Sequence, residues 1–258
     1  VTDRSAAPER LVDGVLFDID DTLVDTRGAF AVALADVARR WLPDVTPDRD
    51  HELVTTWRAD VGGHYARYTR GEVDYHAQRR ARANELHARY GGPALDEDGY
   101  RAWSEVFDDG FRGAWAAHVD VEAVVDDLLA AGLAVGALSN ASVALQTDKL
   151  RRVGLVDRVP MLVGVDTLGF GKPDPRVFVE ACRLLGTSPA RTAYVGDELD
   201  VDAAAARAAG LVGVWLDRPG PRRVPVPDED VATARAAGVR VIGSLADLPG
   251  ALGLRAGR

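Results

Sequence analysis

The chain has 258 residues, 47% of them hydrophobic, which is enough for one large domain or two modest ones around a sizeable core. Its net charge of −9 argues against a nucleic-acid partner or an anionic membrane surface. The single cysteine, Cys182, excludes an internal disulfide framework and a four-cysteine zinc site.

In chain order, the opening VTDRSAAPER lacks the apolar stretch of a signal peptide, and no run anywhere approaches a membrane span, so a cytoplasmic location is expected. Residues 1–9 and the final LRAGR are expected to be loose. The first apolar run, VDGVLFDI (12–19), leads straight into Asp18, Asp20, Asp21 and Asp25. From about Asp25 to Trp115 only helix-period segments occur, separated by GG, GGP and DEDG breaks. This stretch holds twelve of the seventeen aromatic residues. A helical module over 25–117, inserted after the first strand of a core made of 10–24 and 118–258, is the simplest organisation. Five further apolar runs follow: LAVGALSN (133–140), VPMLVGVD (159–166), TAYVGD (192–197), LVGVWLD (211–217) and VRVIGS (239–244). They are Val- and Leu-rich, too short for helices, and suit strands covered on both faces. Between them lie VEAVVDDLLAAG, VALQTDKLRRVG, PRVFVEACRLLG and DVDAAAARAAG, closed by glycines where helix C-caps would sit. Cys182 falls on the inner face of the third. RPGPRRVPVPDED (218–230) reads as a Pro-rich surface loop. The pattern predicts an α/β fold, a doubly wound parallel sheet with an inserted all-helical domain, whose ligand lies beyond the carboxyl ends of the strands.

Those strand ends carry chemistry. Asp18 and Asp20 are both placed to reach one small volume as the chain leaves the sheet. Crowded carboxylates need a cation or shared protons, and a hard divalent ion such as Mg²⁺ answers that need; an acidic surface turn is the alternative. The second run ends in Ser139-Asn140, a hydroxyl and an amide suited to a phosphoryl oxygen. GFGKPDP holds Lys172 in a loop stiffened by Pro173 and Pro175, where an ammonium can offset the carboxylates. TAYVGDELDVD ends in Asp197, followed by Asp200 and Asp202, which helix capping alone would also explain. Each bland reading is plausible singly. Four of them at successive ends of one sheet are not.

The ordered set FDIDDTL (17–23), LSN (138–140), GKPDP (171–175) and VGDELDVDAAAARAAG (195–210) resembles the haloacid dehalogenase (HAD) superfamily, over residues 12 to 217. The insertion point resembles that of the helical C1 cap. The resemblance implies that Asp18 is a nucleophile forming an aspartyl-phosphate and that Asp20 is the general acid–base. It further implies Mg²⁺ held by Asp18, the Asp20 carbonyl and Asp197, with Asp202 supporting them and Asp200 the lesser candidate. Ser139 and the Asn140 backbone would bind the phosphoryl group, and Lys172 would stabilise both it and Asp18.

Dehalogenation in this superfamily needs neither a metal nor a second acid, so the Asp18–Asp20 pair with Asp197 implies phosphate-ester chemistry. The expected enzyme is a phosphatase of a small phosphorylated metabolite. A sugar-phosphate mutase of the β-phosphoglucomutase type and a non-catalytic binding protein on the same fold are the alternatives. The phosphonatase reading needs a cap lysine, and none occurs between Asp25 and Trp115. No nucleic acid or membrane partner is expected, and no oligomeric state is implied. Substrate contacts from the cap are sought in GGHYARYTRGEVDYH (62–76), where His64, Tyr65, Arg67 and Tyr68 are candidates beside Arg70. The competing reading there is an amphipathic helix with tyrosines inward and arginines in water, and Arg79, Arg80 and Arg82 read as a solvated face.

Overall fold

Val- and Leu-rich runs with no polar face must be covered on both sides, and here they form the middle of a sandwich of helices. The computed structural model describes residues 11–220 and 225–254. The expectations for residues 1–9 and for the tail beyond Leu254 lie outside the described residues, as do residues 221–224 of the Pro-rich loop. Strands β1 (Gly14–Phe17), β2 (Ala134–Leu138), β3 (Met161–Val163), β4 (Thr192–Gly196), β5 (Val212–Leu216) and β6 (Arg240–Ile242) make one all-parallel sheet in the order β3-β2-β1-β4-β5-β6. Each lies inside one of the six apolar runs. The chain winds outward from β1 to β3, returns, and winds out the other way from β4 to β6. The reversal between β1 and β4 is the switch point at which such sheets open a crevice. Register aligns Phe17 with Ala137 on one side and Val195 on the other, so three neighbouring strands end almost level.

Between β1 and β2 come helices α1 (Thr26–Trp41), α2 (Asp50–Ala59), α3 (His64–Thr69), α4 (Tyr75–Arg89), α5 (Glu97–Gly113) and α6 (Val121–Ala130). The remaining helices are α7 (Val143–Arg152), α8 (Val165–Leu168), α9 (Pro175–Leu185), α10 (Ala205–Ala208), α11 (Asp228–Ala236) and α12 (Leu248–Ala251), with a π-helical turn over Leu199–Ala204 leading into α10. Aspartates start several of them by accepting from an otherwise unpaired N–H: Asp25 from Gly28, Asp74 from Ala77 and Asp96 from Gly99, each at 2.8 Å. No helix among the described residues is long and apolar enough to cross a membrane.

The chain leaves the sheet and comes back to it through one narrow crossing, where Asp25 N donates to Ala116 O at 2.9 Å and His118 N to Leu23 O at 3.0 Å. The helices beyond it are held by aromatics. On α5 Trp103, Phe107 and Phe111 recur every four residues, placing them on one face. Phe107 stacks on Trp103 with centroids 4.9 Å apart, and Phe111 stacks on Phe30 of α1 at 4.7 Å. Val15 and Phe17 join the apolar cluster that continues into these helices, while Leu16 points the other way to Tyr194, Phe178 and Cys182. Cys182 sits fully buried on the inner face of α9, where its neighbours in the sequence placed it.

Candidate active site

The strand ends bring Asp18, Ser139 and Asp197 to the same edge, and a loop folds Lys172 over them. Asp18 follows β1 directly, its N–H donating to Val195 O at 2.8 Å, and is 5% exposed. The Lys172 ammonium is the hub: it donates to Asp18 Oδ1, Asp202 Oδ1 and the Tyr194 hydroxyl, each at 2.7 Å. Tyr194 passes the polarity on by donating to Leu138 O at 2.9 Å. Asn140 fixes the lysine from behind with its side chain. Its amide nitrogen donates to Lys172 O at 2.9 Å, and its amide oxygen accepts from Lys172 N at 2.6 Å. Residue 171 must be glycine for this clamp, since a Cβ there would lie 2.2 Å from Asn140 Oδ1. Gly196 plays the same part for Asp202, whose carboxylate occupies the space a Cβ would fill, 2.3 Å away.

Asp20 stands in a second network. Its carboxylate accepts from Thr26 Oγ1 at 2.7 Å, from Gln146 Nε2 at 2.6 Å and from the ammonium of Lys149. Gln146 Nε2 also donates to Ser139 Oγ at 2.8 Å, so one amide ties the acid to the hydroxyl. Neither Gln146 nor Lys149 stood out in the sequence. The signal was present: on α7 they fall between Leu145 and Leu150, on the stripe a helix turns inward, where a polar pair needs a reason. Tyr194 was missed in the same way, as a phenol inside a buried strand.

Electrostatics separates the acids. Burial pushes Asp18 up to about 8; Lys172 opposes this, but Asp202 and Asp20 add repulsion. Asp197 is raised well above the ordinary carboxylate range by burial and then by Asp21, Asp202, Asp18 and Glu198, all of the same sign. Among the described residues no hydrogen bond or ion pair meets its side chain. Asp20 moves the other way: burial would raise it, but the charge and hydrogen bond of Lys149, with those of Thr26 and Gln146, hold it below its ordinary value. Burial would neutralise Lys172, yet Asp18 and Asp202 outweigh it and keep the lysine charged.

The aspartates at 21 and 25 have other work. Asp21, in the left-handed region at φ 60°, accepts from Arg27 N at 2.7 Å and pairs with Arg58; Asp25 caps α1. Asp200 is not among the clustered acids.

A cavity of about 450 Å³ connects Asp18, Asp20 and Lys172 with α2 to α5. A larger one, about 870 Å³, touches Asp197 from the side of Asp217 and Arg218 but includes none of those three, and the chemistry belongs to the smaller. Of the sequence candidates on the helical side, Tyr65 lines the smaller cavity and donates from its hydroxyl to Asn140 O at 3.3 Å. His64 faces Glu85 at 3.7 Å, Arg67 faces Glu72 at 3.5 Å, and Tyr68 packs on Tyr65 and Tyr75; none of the three is on the cavity wall. Arg70, also on that wall, is exposed and pairs with Glu72. The solvated face expected for Arg79, Arg80 and Arg82 holds only for Arg80. Arg79 is 5% exposed and Arg82 nearly as buried, because α4 turns them onto the aromatic cluster: Arg79 lies 4.4 Å from the Phe107 centroid, Arg82 4.1 Å from that of Trp57.

The haloacid dehalogenase-like hydrolase family model matches residues 12–210. The chain belongs to that family. It is 34% identical over 209 residues to a phosphoglycolate phosphatase of Chromobacterium violaceum, covering 79% of this chain and 84% of that one. A shorter stretch of 107 residues is 36% identical to a phosphoserine phosphatase of Thermus thermophilus, of which it spans 43%. The solved structure of an L-2-haloacid dehalogenase superposes with a TM-score of 0.71 at 28% identity, over 94% of this chain and 99% of that one. Hydrolases of this family generally use a divalent metal, and the donor set here suits one. Carboxylate oxygens of Asp18, Asp197 and Asp202 lie within 4.8 Å of one another. Fully ionised, the three carboxylates would exceed the one ammonium of Lys172 by two negative charges, the charge of one divalent ion. Asp202 is already engaged by Lys172, Tyr194 and Glu198 N, whereas Asp197 is free to bind.

Proposed function

We propose that this protein is a Mg²⁺-dependent phosphatase of a small phosphorylated metabolite, acting through an aspartyl-phosphate on Asp18. The observation that carries the reading is the pair of networks two residues apart: Asp18 held by Lys172 beside an uncompensated Asp197, and Asp20 held by Lys149 and Gln146. The phosphatase names of relatives covering most of the chain support it.

Helices α1 to α5, entered and left at the Asp25–Ala116 crossing, serve as the cap over 25–117. Mg²⁺, held by Asp18, the Asp20 carbonyl and Asp197, with Asp202 behind them, would neutralise charge on the phosphoryl oxygens. Ser139, the Asn140 backbone and Lys172 orient that group against Asp18, whose oxygen attacks phosphorus as the ester P–O bond breaks. Asp20 gives its proton to the departing oxygen. As carboxylate it then takes a proton from the water that attacks the same phosphorus, releasing phosphate and regenerating Asp18. Donating that first proton requires Asp20 to part from Lys149, the contact that keeps it ionised in the free enzyme.

Phosphate release from p-nitrophenyl phosphate and a phosphometabolite panel tests the reading. Activity is expected with Mg²⁺, lost with chelator, and reduced at least 10³-fold in Asp18→Asn, roughly what loss of a covalent nucleophile costs. Full activity in Asp18→Asn would refute the mechanism.

A further inference from the structure

The helical wall of the catalytic cavity carries polar groups that the protein leaves unsatisfied. Gln78 is 3% exposed and lines the cavity; its side chain makes no hydrogen bond among the described residues, and its amide oxygen is buried. The indole N–H of Trp57 and the Nε of Arg82, on the same wall, are buried without an acceptor. Buried polar groups are almost always paired, so a group of them in one cavity points to a missing partner. The Nε atoms of Arg58 and Arg79, on the same wall, are unpaired too, and the three arginines differ in the carboxylate that faces them. Arg58 pairs with Asp21, and Arg79 bonds Asp108 at 2.6 Å. Among the described residues Arg82 has only a carbonyl, Trp57 O at 2.5 Å, and a distant Asp60 at 3.8 Å. Asp60 is spent elsewhere, accepting from Tyr65 N and Ala66 N. Burial drags Arg82 down to about 10 despite Asp60, the mark of a cation short of counter-charge.

The position is right for the far end of a substrate. Tyr65 reaches Asn140 O with its hydroxyl, and the Arg82 guanidinium lies 5.5 Å from the Tyr65 ring centroid, about one tyrosine side chain from the phosphoryl end. The set offers two unpaired donors, the Trp57 indole N–H and the Arg82 Nε–H, beside the Gln78 amide, whose Nε2 makes no hydrogen bond among the described residues; it carries a positive charge, and the surface around it is aromatic. Donors with a planar cationic fork match a carboxylate, and the aromatic surface matches an apolar or ring-bearing body.

We propose that Arg82, with Gln78 and the Trp57 N–H, forms a carboxylate subsite for the leaving group, so that the substrates are phosphate monoesters of hydroxy acids. This rests on the phosphatase reading.

Two isosteric probes test it: 4-carboxyphenyl phosphate and its neutral twin, 4-carbamoylphenyl phosphate. The wild-type enzyme should favour the carboxylate in kcat/KM by tenfold or more. Arg82→Gln should bring that ratio to within about twofold of unity, and Arg82→Lys should restore part of it. Because Arg82 also packs on Trp57, Gln78→Leu serves as a second variant that sacrifices no hydrogen bond within the protein; its ratio should fall several-fold. A wild-type ratio near one, or a ratio unchanged in both Arg82→Gln and Gln78→Leu, overturns the subsite. If neither ester is hydrolysed, the phosphatase reading fails. The subsite is then judged by binding of the product acid, 4-hydroxybenzoate. It should bind wild type at least tenfold more tightly than 4-hydroxybenzamide and lose that preference in Arg82→Gln; equal binding of the two overturns the subsite.

Discussion

Replacing Asp20 by alanine should destabilise the protein through a residue far away in sequence. Lys149 is 1% exposed, and among the described residues Asp20 is its only carboxylate partner. Without it the ammonium keeps Thr26 Oγ1 at 3.4 Å and the faces of Phe111 and Trp115, each centroid 5.5 Å away. Removing one partner of a buried ion pair costs about 3–5 kcal/mol because the survivor is left charged in a poor solvent. Asp20 is itself 34% exposed, so water reaches the gap and the low end applies, about 3 kcal/mol. For a chain of this size that is a fall in Tm of about 6–12 °C. Lys149→Met is milder, about 1 kcal/mol, since Asp20 keeps Thr26, Gln146 and water. The double variant has no orphaned charge and should lose about 1–2 kcal/mol, well short of the sum of the two singles. Urea unfolding in chelator, so that bound metal does not contribute, measures all three. An Asp20→Ala cost below about 1 kcal/mol, or an additive double variant, would refute the view that Lys149 depends on Asp20.

Asp197→Asn removes an acid whose ionisation burial and its acidic neighbours oppose in the folded state, so the metal-free protein should melt higher than wild type. The stabilisation by Mg²⁺, about 2.7 kcal/mol at a hundredfold excess over Kd, should vanish; thermal melts with chelator and with Mg²⁺ check both. Asp120, which accepts from Arg218, Ser244 and Leu245 N, is lowered from 3.8 to about 2 because those bonds outweigh its partial burial. A carboxyl with a depressed native pKa contributes stability above its unfolded value, and that contribution fades as pH falls from about 4 through 2. At this partly solvated site it is worth about 1 kcal/mol. The stability gap between wild type and Asp120→Asn in urea should therefore be present at pH 6 and close toward pH 2; a gap that widened in acid would contradict the sign.

The sequence by itself determined the parallel sheet and the order of its chemistry. Strands buried on both faces must be apolar throughout, and the residue that ends each run must be polar, so VLFD, ALSN and YVGD announce both the strand and its terminal side chain. The tertiary structure alone decided the partners of those residues. Whether Asp20 is ionised depends on Lys149, which is 129 positions away, and no spacing rule links a strand end to the inner stripe of a later helix. The same holds on the cap. Arg79, Arg80 and Arg82 look alike in sequence, and a long side chain with an apolar stem suits either water or an aromatic face. Only the packing of α4 against Trp57 and Phe107 left Arg80 in solvent and carried Arg82 into the cavity, short of counter-charge.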